Sequence, residues 1–405
     1  MADSSAEADQ VLREVSAIEF ELGGPAYRVM QRIGIIKGAG PSVGRRSVAF
    51  IAMTWLPMLV LAALEGHAIG PTPRASLLLD FATYARLFIA VPLIFAAEMI
   101  VGPRMHSAAT RFVEAGIVQP ESLRGFAAAV QRVARRREAW LPEAIFLIVA
   151  LFGGWLISVE QVAGLASASW HTVWTGAVAR PSLAALWYHF TAIPLLQFFV
   201  LRWLWRLIVW ALFLWDVSRL RLDLEPTHTD MAGGLGFLGN AHMSMWIFPF
   251  AFGCVISAEL AFSASFEGLN VASLKTMMPV LFAYLVFVEL ATFGPLVVFV
   301  GPLLAARREA LRTYGTLVQQ HNALFSRKWI MGEKPADELP LGNPDMSSLV
   351  DLGSSFLVVR QMNVFPVSRT QMVQVAVISC LPALPLVFLV LPFAEVLKLI
   401  AGAVI

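Results

Sequence analysis

Six charged residues, Arg86, Glu98, Arg202, Arg206, Glu259 and Glu289, stand inside long apolar runs of this sequence. A charge within hydrocarbon is costly, so each should face an opposite charge, a polar cavity or water. With a helical rise of about 1.5 Å per residue, Arg86 falls roughly 13 Å below the outer end of its run. Glu259 should reach a similar depth on a run of the opposite direction, and Glu289 falls near the middle of another. Glu98 shares a level with Arg202 and Arg206, which lie four residues apart and therefore on one helix face. These depths suggest pairing Arg86 with Glu259 or Glu289, and Glu98 with one of the two arginines. Such pairs either fix helix packing or line an ion path.

A second group with chemical potential is the polar turn Glu225-Pro226-Thr227-His228-Thr229-Asp230, followed by Gly233, Gly234 and Gly236. Glu225, His228 and Asp230 form a candidate ligand or metal site. The spacing lacks the paired histidines or cysteines that would make a metal reading specific. The three glycines are read as shaping the backbone, through positive φ or a close approach. No catalytic motif, cofactor fingerprint or catalytic residue stands out, and the reading includes no cofactor.

The elements that must hold these residues are transmembrane helices. Of 405 residues, 58% are hydrophobic and 14% charged, against roughly 25% charged in soluble domains. Apolar runs long enough to cross about 30 Å of hydrocarbon occupy Val48–Leu64, Leu77–Val101, Leu141–Val159, Leu183–Trp210, Ser244–Ala264, Met277–Leu304 and Met372–Ile400. The runs are continuous rather than alternating, so they are helices and not barrel strands. The last contains Pro382, Pro385 and Pro392, and either crosses once with a kink or bends along the interface. The fold class expected is therefore all-α, a polytopic helical membrane protein of about seven spans with cytoplasmic helical segments. Residues 1–47 form an N-terminal segment, and 48–405 the transmembrane domain with loops 102–140, 211–243 and 305–371. Cys254 and Cys380 both sit in apolar runs, which leaves no disulfide framework. No signal peptide and no internal repeat is apparent.

Lysine and arginine distribution orients the chain. With the N-terminus inside, the inner segments hold 23 Lys and Arg and the outer loops 3, namely Arg74, Arg180 and Lys275. The C-terminus is then outside. Short helices are expected on the inner face: Pro25–Ile35 at the interface, one opening at Gln119-Pro120-Glu121 with Phe126, Val130 and Val133 inward, a polar helix over Arg307–Trp329, and one opening at Asn343-Pro344.

The stretch from Arg202 to Gly239, together with the Arg86–Glu98 segment and Asn343–Arg369, resembles a group of uncharacterised bacterial inner-membrane proteins. That group carries Thr-His-Pro-Asp where this chain has Thr227-His228-Thr229-Asp230. The resemblance implies a bacterial cytoplasmic membrane and carries no activity with it. The functional expectation is a channel or transporter for ions or small solutes, a homo-oligomer in the lipid bilayer, with anionic lipid at the cytoplasmic face and no nucleic acid. The alternatives are a scaffold or sensor acting through the cytoplasmic helices, and a membrane-embedded enzyme on a lipid-like substrate.

Overall fold

In the computed structural model, which describes residues 2–16, 22–37, 40, 42–163, 169–175, 178–266, 271–333, 335, 338–340 and 342–386, the chain is 80% helical. Helix α1 (Ala2–Ser16) and the short α2 (Pro25–Arg32) precede α3 (Val43–Leu64) and α4 (Phe81–Glu114). Helix α5 (Leu123–Arg137) and α6 (Trp140–Ala163) lead to a hairpin of β1 (Thr172–Thr175) and β2 (Val178–Pro181). Then follow α7 (Leu183–Ser218), α8 (Gly236–Phe266), α9 (Val271–Phe293), α10 (Val300–Phe325), α11 (Pro344–Gln361) and α12 (Arg369–Cys380). Among the described residues, five stretches are long and apolar enough to cross a membrane: α3, α4, α7, α8 and Pro279–Ile330, which runs through α9 and α10. This is a multi-pass, all-helical membrane protein. The apolar Trp140–Gly153 of α6 is a shorter stretch, and the expected last span continues beyond residue 386, outside the described residues.

Helices α4 and α7 are built to one plan. Each opens on a capping side chain that accepts from the third residue on: Asp80 from the Thr83 N–H at 3.1 Å, and Ser182 from the Ala185 N–H at 2.9 Å. Each widens into a π-helical turn, at Ala85–Ala90 and at Tyr188–Ala192. Each then meets a proline twelve residues after its cap, Pro92 and Pro194. A proline has no N–H to give to the preceding turn, and a wider turn absorbs the mismatch. Trp170 ties the two caps together, its indole N–H donating to Asp80 at 3.0 Å and its carbonyl accepting from the Ser182 hydroxyl at 2.8 Å. The helices that precede them match as well, because Arg46 and Glu143 are each the fourth residue of α3 and α6. The plan is a correspondence of caps, prolines and charged positions, with few identical side chains, which is why no repeat shows in the sequence.

The largest of three apolar clusters among the described residues packs α1, α4, α5, α7 and α8 around Phe112, Phe126, Trp210, Phe213 and Phe299, all buried. The second lies nearer the strand hairpin, where Phe50, Phe95, Trp170 and Tyr188 meet. Two parts of the first cluster are not legible in the sequence. Val11 and Val15 of α1 are buried in it, although no helix is expected from the sequence before Pro25. The loops after α4 and α7 also pair with each other, through Val118 and Leu222. Of the expected short helices, α5 places Phe126, Val130 and Val133 inward, and α11 opens with the Asn343 side chain accepting from the Asp345 N–H.

Candidate functional site

Four helices deliver five charged side chains to one buried cluster, and the N-terminal segment adds backbone groups to it. Glu98 of α4 accepts from both terminal nitrogens of Arg46, from Arg206 Nη1 at 2.9 Å, and has Arg202 Nη1 at 3.8 Å. Glu143 of α6 accepts from Arg202 Nε at 3.0 Å and from the Ala26 backbone N–H at 2.6 Å. Arg202 also donates to the carbonyl of Gly23. All five residues are less than a tenth exposed. Arg46 stacks on Phe95 and Arg206 on Trp203, so the guanidinium faces meet aromatic rings where they lack oxygen. A cavity of about 10 Å³ beside Arg202, Arg206 and Glu143 has room for roughly one water.

The N-terminal segment reaches this cluster because Gly23 and Gly24 adopt φ of +112° and +87°. A Cβ on Gly24 would lie 2.6 Å from Glu143 Oε1, so the close approach excludes any other residue. Of the five charged groups, sequence depth alone singles out Glu98, Arg202 and Arg206. Arg46 falls two residues before the expected span Val48–Leu64, whereas α3 starts at Val43 and takes it in. Glu143 lies at the start of the expected span Leu141–Val159 and is not among the charges that depth singles out. The signal present in the sequence is a charge at the start of each apolar run, Arg46 two residues before Val48 and Glu143 two after Leu141, with a proline-bearing partner run to follow.

A larger cavity, about 310 Å³ and half-open, lies along α4, α7 and α8 on the strand-hairpin side of the cluster. Its polar lining is Arg86, Tyr188, His189 and Gln197, and Ile94, Leu196, Val200 and Phe248 form apolar walls toward the charged cluster. Arg86 donates to the Tyr188 hydroxyl at 2.8 Å and to Glu259 at 3.1 Å. Glu259 is more than half exposed. His189 is 4% exposed, and neither ring nitrogen has a hydrogen-bond partner among the described residues. Both π-helical turns contribute to this lining, as such turns frequently do at functional sites. Of the two acids considered for Arg86, Glu259 is in place. Both oxygens of Glu289 are buried without a hydrogen-bond partner among the described residues.

The polar turn after α7 folds on itself. Asp230 Oδ1 accepts from the N–H groups of Ala232 at 2.8 Å and Gly234 at 3.1 Å, and Oδ2 from Gly236 at 2.8 Å. Burial works to raise this carboxyl, and the three backbone N–H groups outweigh it, holding Asp230 below the usual carboxylate range. His228 Nδ1 lies 2.8 Å from Asp230 Oδ1. Glu225 accepts from the hydroxyl and backbone N–H of Thr227, which lowers its carboxyl despite slight burial. Gly233 and Gly234 have φ of +63° and +92°. A Cβ on Gly236 would sit 3.0 Å from the Asp230 side chain. The carboxylates thus serve their own loop, and no group of three or more His, Cys, Asp or Glu able to hold a metal occurs among the described residues. Beside the turn, Arg111, Asn240, Asn363 and Gln371 help to line a cleft of about 310 Å³.

No protein-family model, curated protein or solved structure matches the chain.

Proposed function

We propose that this protein is a membrane transporter for small solutes bearing an anionic or acceptor-rich group, bound in the cavity between α4, α7 and α8. The observation that carries the reading is the position of that cavity. One end holds Arg86, Tyr188 and His189, whose ring nitrogens have no hydrogen-bond partner among the described residues, and the other approaches the closed cluster of Glu98 and its arginines. Its volume is at the lower end of the range for small-molecule sites. Arg86 and Tyr188 offer donors, and His189 offers one donor and one acceptor in its neutral form. Parallel structural repeats are a recurrent plan in transporters, and the shared build of α4 and α7 fits that plan.

In this reading the cluster of Arg46, Glu98, Glu143, Arg202 and Arg206 is the closed inner gate, with Gly23 and Gly24 as its strap. The N-terminus is cytoplasmic, in a bacterial-type inner membrane, as the arginine and lysine distribution and the family resemblance suggest. A reporter active only outside the cytoplasm should stay inactive when fused after Met331; activity there would reverse the orientation. Assembly as a homo-oligomer is favoured by the α10–α11 arm, where Leu317, Leu324, Ile330, Val350 and Leu357 are exposed.

Binding tests the site directly. Benzenesulfonate is permanently ionised and small enough for the cavity, and it should raise the melting temperature of the purified protein in a saturable way. Arg86→Gln and His189→Phe should each remove that rise. A rise that survives both substitutions would place binding elsewhere.

A further inference from the structure

Glu289 is the one acid of the sequence's intramembrane set that neither the charged cluster nor the cavity uses. It lies on α9, and both carboxyl oxygens are buried without a hydrogen-bond partner among the described residues. The elements packed against α9 are the start of α8 (Gly236–Met243), the turn Gly294–Phe299 and α12, and Tyr284 of α9 also reaches Pro249 further along α8. The titratable groups they bring are His242, Cys254, Arg369 and Cys380, and Tyr284 stands on α9 itself. Arg369 opens α12 and is exposed. Tyr284 donates its hydroxyl to the Pro249 carbonyl at 2.7 Å.

His242 is the group whose charge would matter most, because its ring reaches the Thr292 carbonyl, one turn beyond Glu289. The Trp210 indole N–H, which can only donate, points at His242 Nε2 from 3.0 Å. Nε2 is therefore bare, and Nδ1 carries the proton that it gives to the Thr292 carbonyl. His242 is fully buried, with both nitrogens occupied in the neutral form. It supplies no positive charge for Glu289. An ionised Glu289 would be an isolated charge in an apolar setting, whereas the acid form is merely a polar group awaiting a partner.

Four residues past Glu289 the regular helix ends. The 3₁₀ turn Gly294–Phe299 follows, and a Cβ on Gly294 would meet open space. Irregular backbone at membrane depth persists where it is buried in protein or borders water.

We infer that Glu289 is a proton-binding site: it holds a proton in the resting protein and exchanges it with water past the Gly294–Phe299 turn. Use of that proton to drive solute movement rests on the transporter reading; the exchange itself does not.

Dicyclohexylcarbodiimide separates the two, because it adds to protonated carboxyls in apolar surroundings and leaves a stable N-acylurea. The full-length protein in lipid nanodiscs is treated across a pH series and its peptides are weighed. The adduct should form on Glu289, diminish as the pH is raised, and be absent from the ion-paired Glu98 and Glu143. Glu289→Gln should fold with an unchanged melting temperature and carry no adduct. Absence of label on Glu289 in folded protein at every pH would overturn the inference. So would labelling that ignores pH, which would mark a sealed acid, or a large loss of stability in Glu289→Gln, which would mean that the carboxylate has a partner. A failed transport assay would leave these results standing.

Discussion

Arg206 and Arg86 sit on neighbouring helices of one bundle, each with a glutamate within hydrogen-bond distance, and their settings are opposite. Around Arg206 three arginines and two glutamates are closed off from solvent, aromatic faces cover the guanidiniums, and the leftover space holds about one water. Around Arg86 the glutamate is half exposed, the ring nitrogens of a buried histidine have no hydrogen-bond partner among the described residues, and a cavity of about 310 Å³ remains open. The same helices, α4 and α7, supply both places. Intramembrane charge does two jobs here. Where arginines and glutamates are closed off together, with room for about one water, charge fixes helix positions; where donors stand beside an open cavity it is available for a ligand.

The sharpest way to break that contrast is to remove the centre of the closed cluster. Glu98→Ala leaves three buried arginines with only Glu143 to answer them, and loss of one partner in a buried pair costs about 3–5 kcal/mol. Little folded, monodisperse protein should be recovered by size exclusion in detergent, and what remains should melt much earlier. Near-normal recovery would mean that water reaches the cluster.

The polar turn gives a smaller effect with a pH signature. Asp230→Ala leaves three backbone N–H groups without their carboxylate, and hydrogen bonds to a charged group contribute about 1.5–3 kcal/mol each. Because the folded carboxyl is held low, its stabilisation is present above the unfolded value of about 3.9 and lost as the pH falls through the lower folded value. The gap in melting temperature between wild type and Asp230→Ala should therefore narrow only in acid. A gap that narrows near neutrality would assign the effect to His228 instead.

Arg86 should matter least for stability. An ion pair with a half-exposed acid contributes about 0–1 kcal/mol, so Arg86→Gln should melt close to wild type, in contrast to Glu98→Ala. A loss as large as that of Glu98→Ala would show that Arg86 belongs to the packing and not to a site.

Much of this bundle is legible in the sequence, and the reasons differ from place to place. Apolar runs locate the five long spans, because hydrocarbon leaves the backbone few choices. Depth along a helix brings Arg86 level with Glu259, and Glu98 level with Arg202 and Arg206. Depth says nothing about rotation, so Glu289 remained as plausible a partner for Arg86 until the helices were packed. Arg46 and Glu143 are hidden by their positions at helix starts, where anchors and capping acids are ordinary. The strap at Gly23 and Gly24 is a long-range contact, and the paired plan of α4 and α7 rests on caps and prolines that no residue-by-residue match reveals. Asp230 shows the opposite limit: its residue type suggests a ligand site, and only geometry shows that its oxygens are taken by Ala232, Gly234 and Gly236.

In the transporter reading the Arg86 cavity carries solute while the Glu98 cluster closes the path below it. Benzenesulfonate flux into proteoliposomes tests it most directly, with wild type, Arg86→Gln and His189→Phe reconstituted in equal folded amounts. Wild type should admit the anion faster than protein-free liposomes, and both variants should fall to the protein-free rate although Arg86→Gln melts like wild type. Wild-type flux no faster than that of empty liposomes, or equal flux in all three proteins, would contradict the claim.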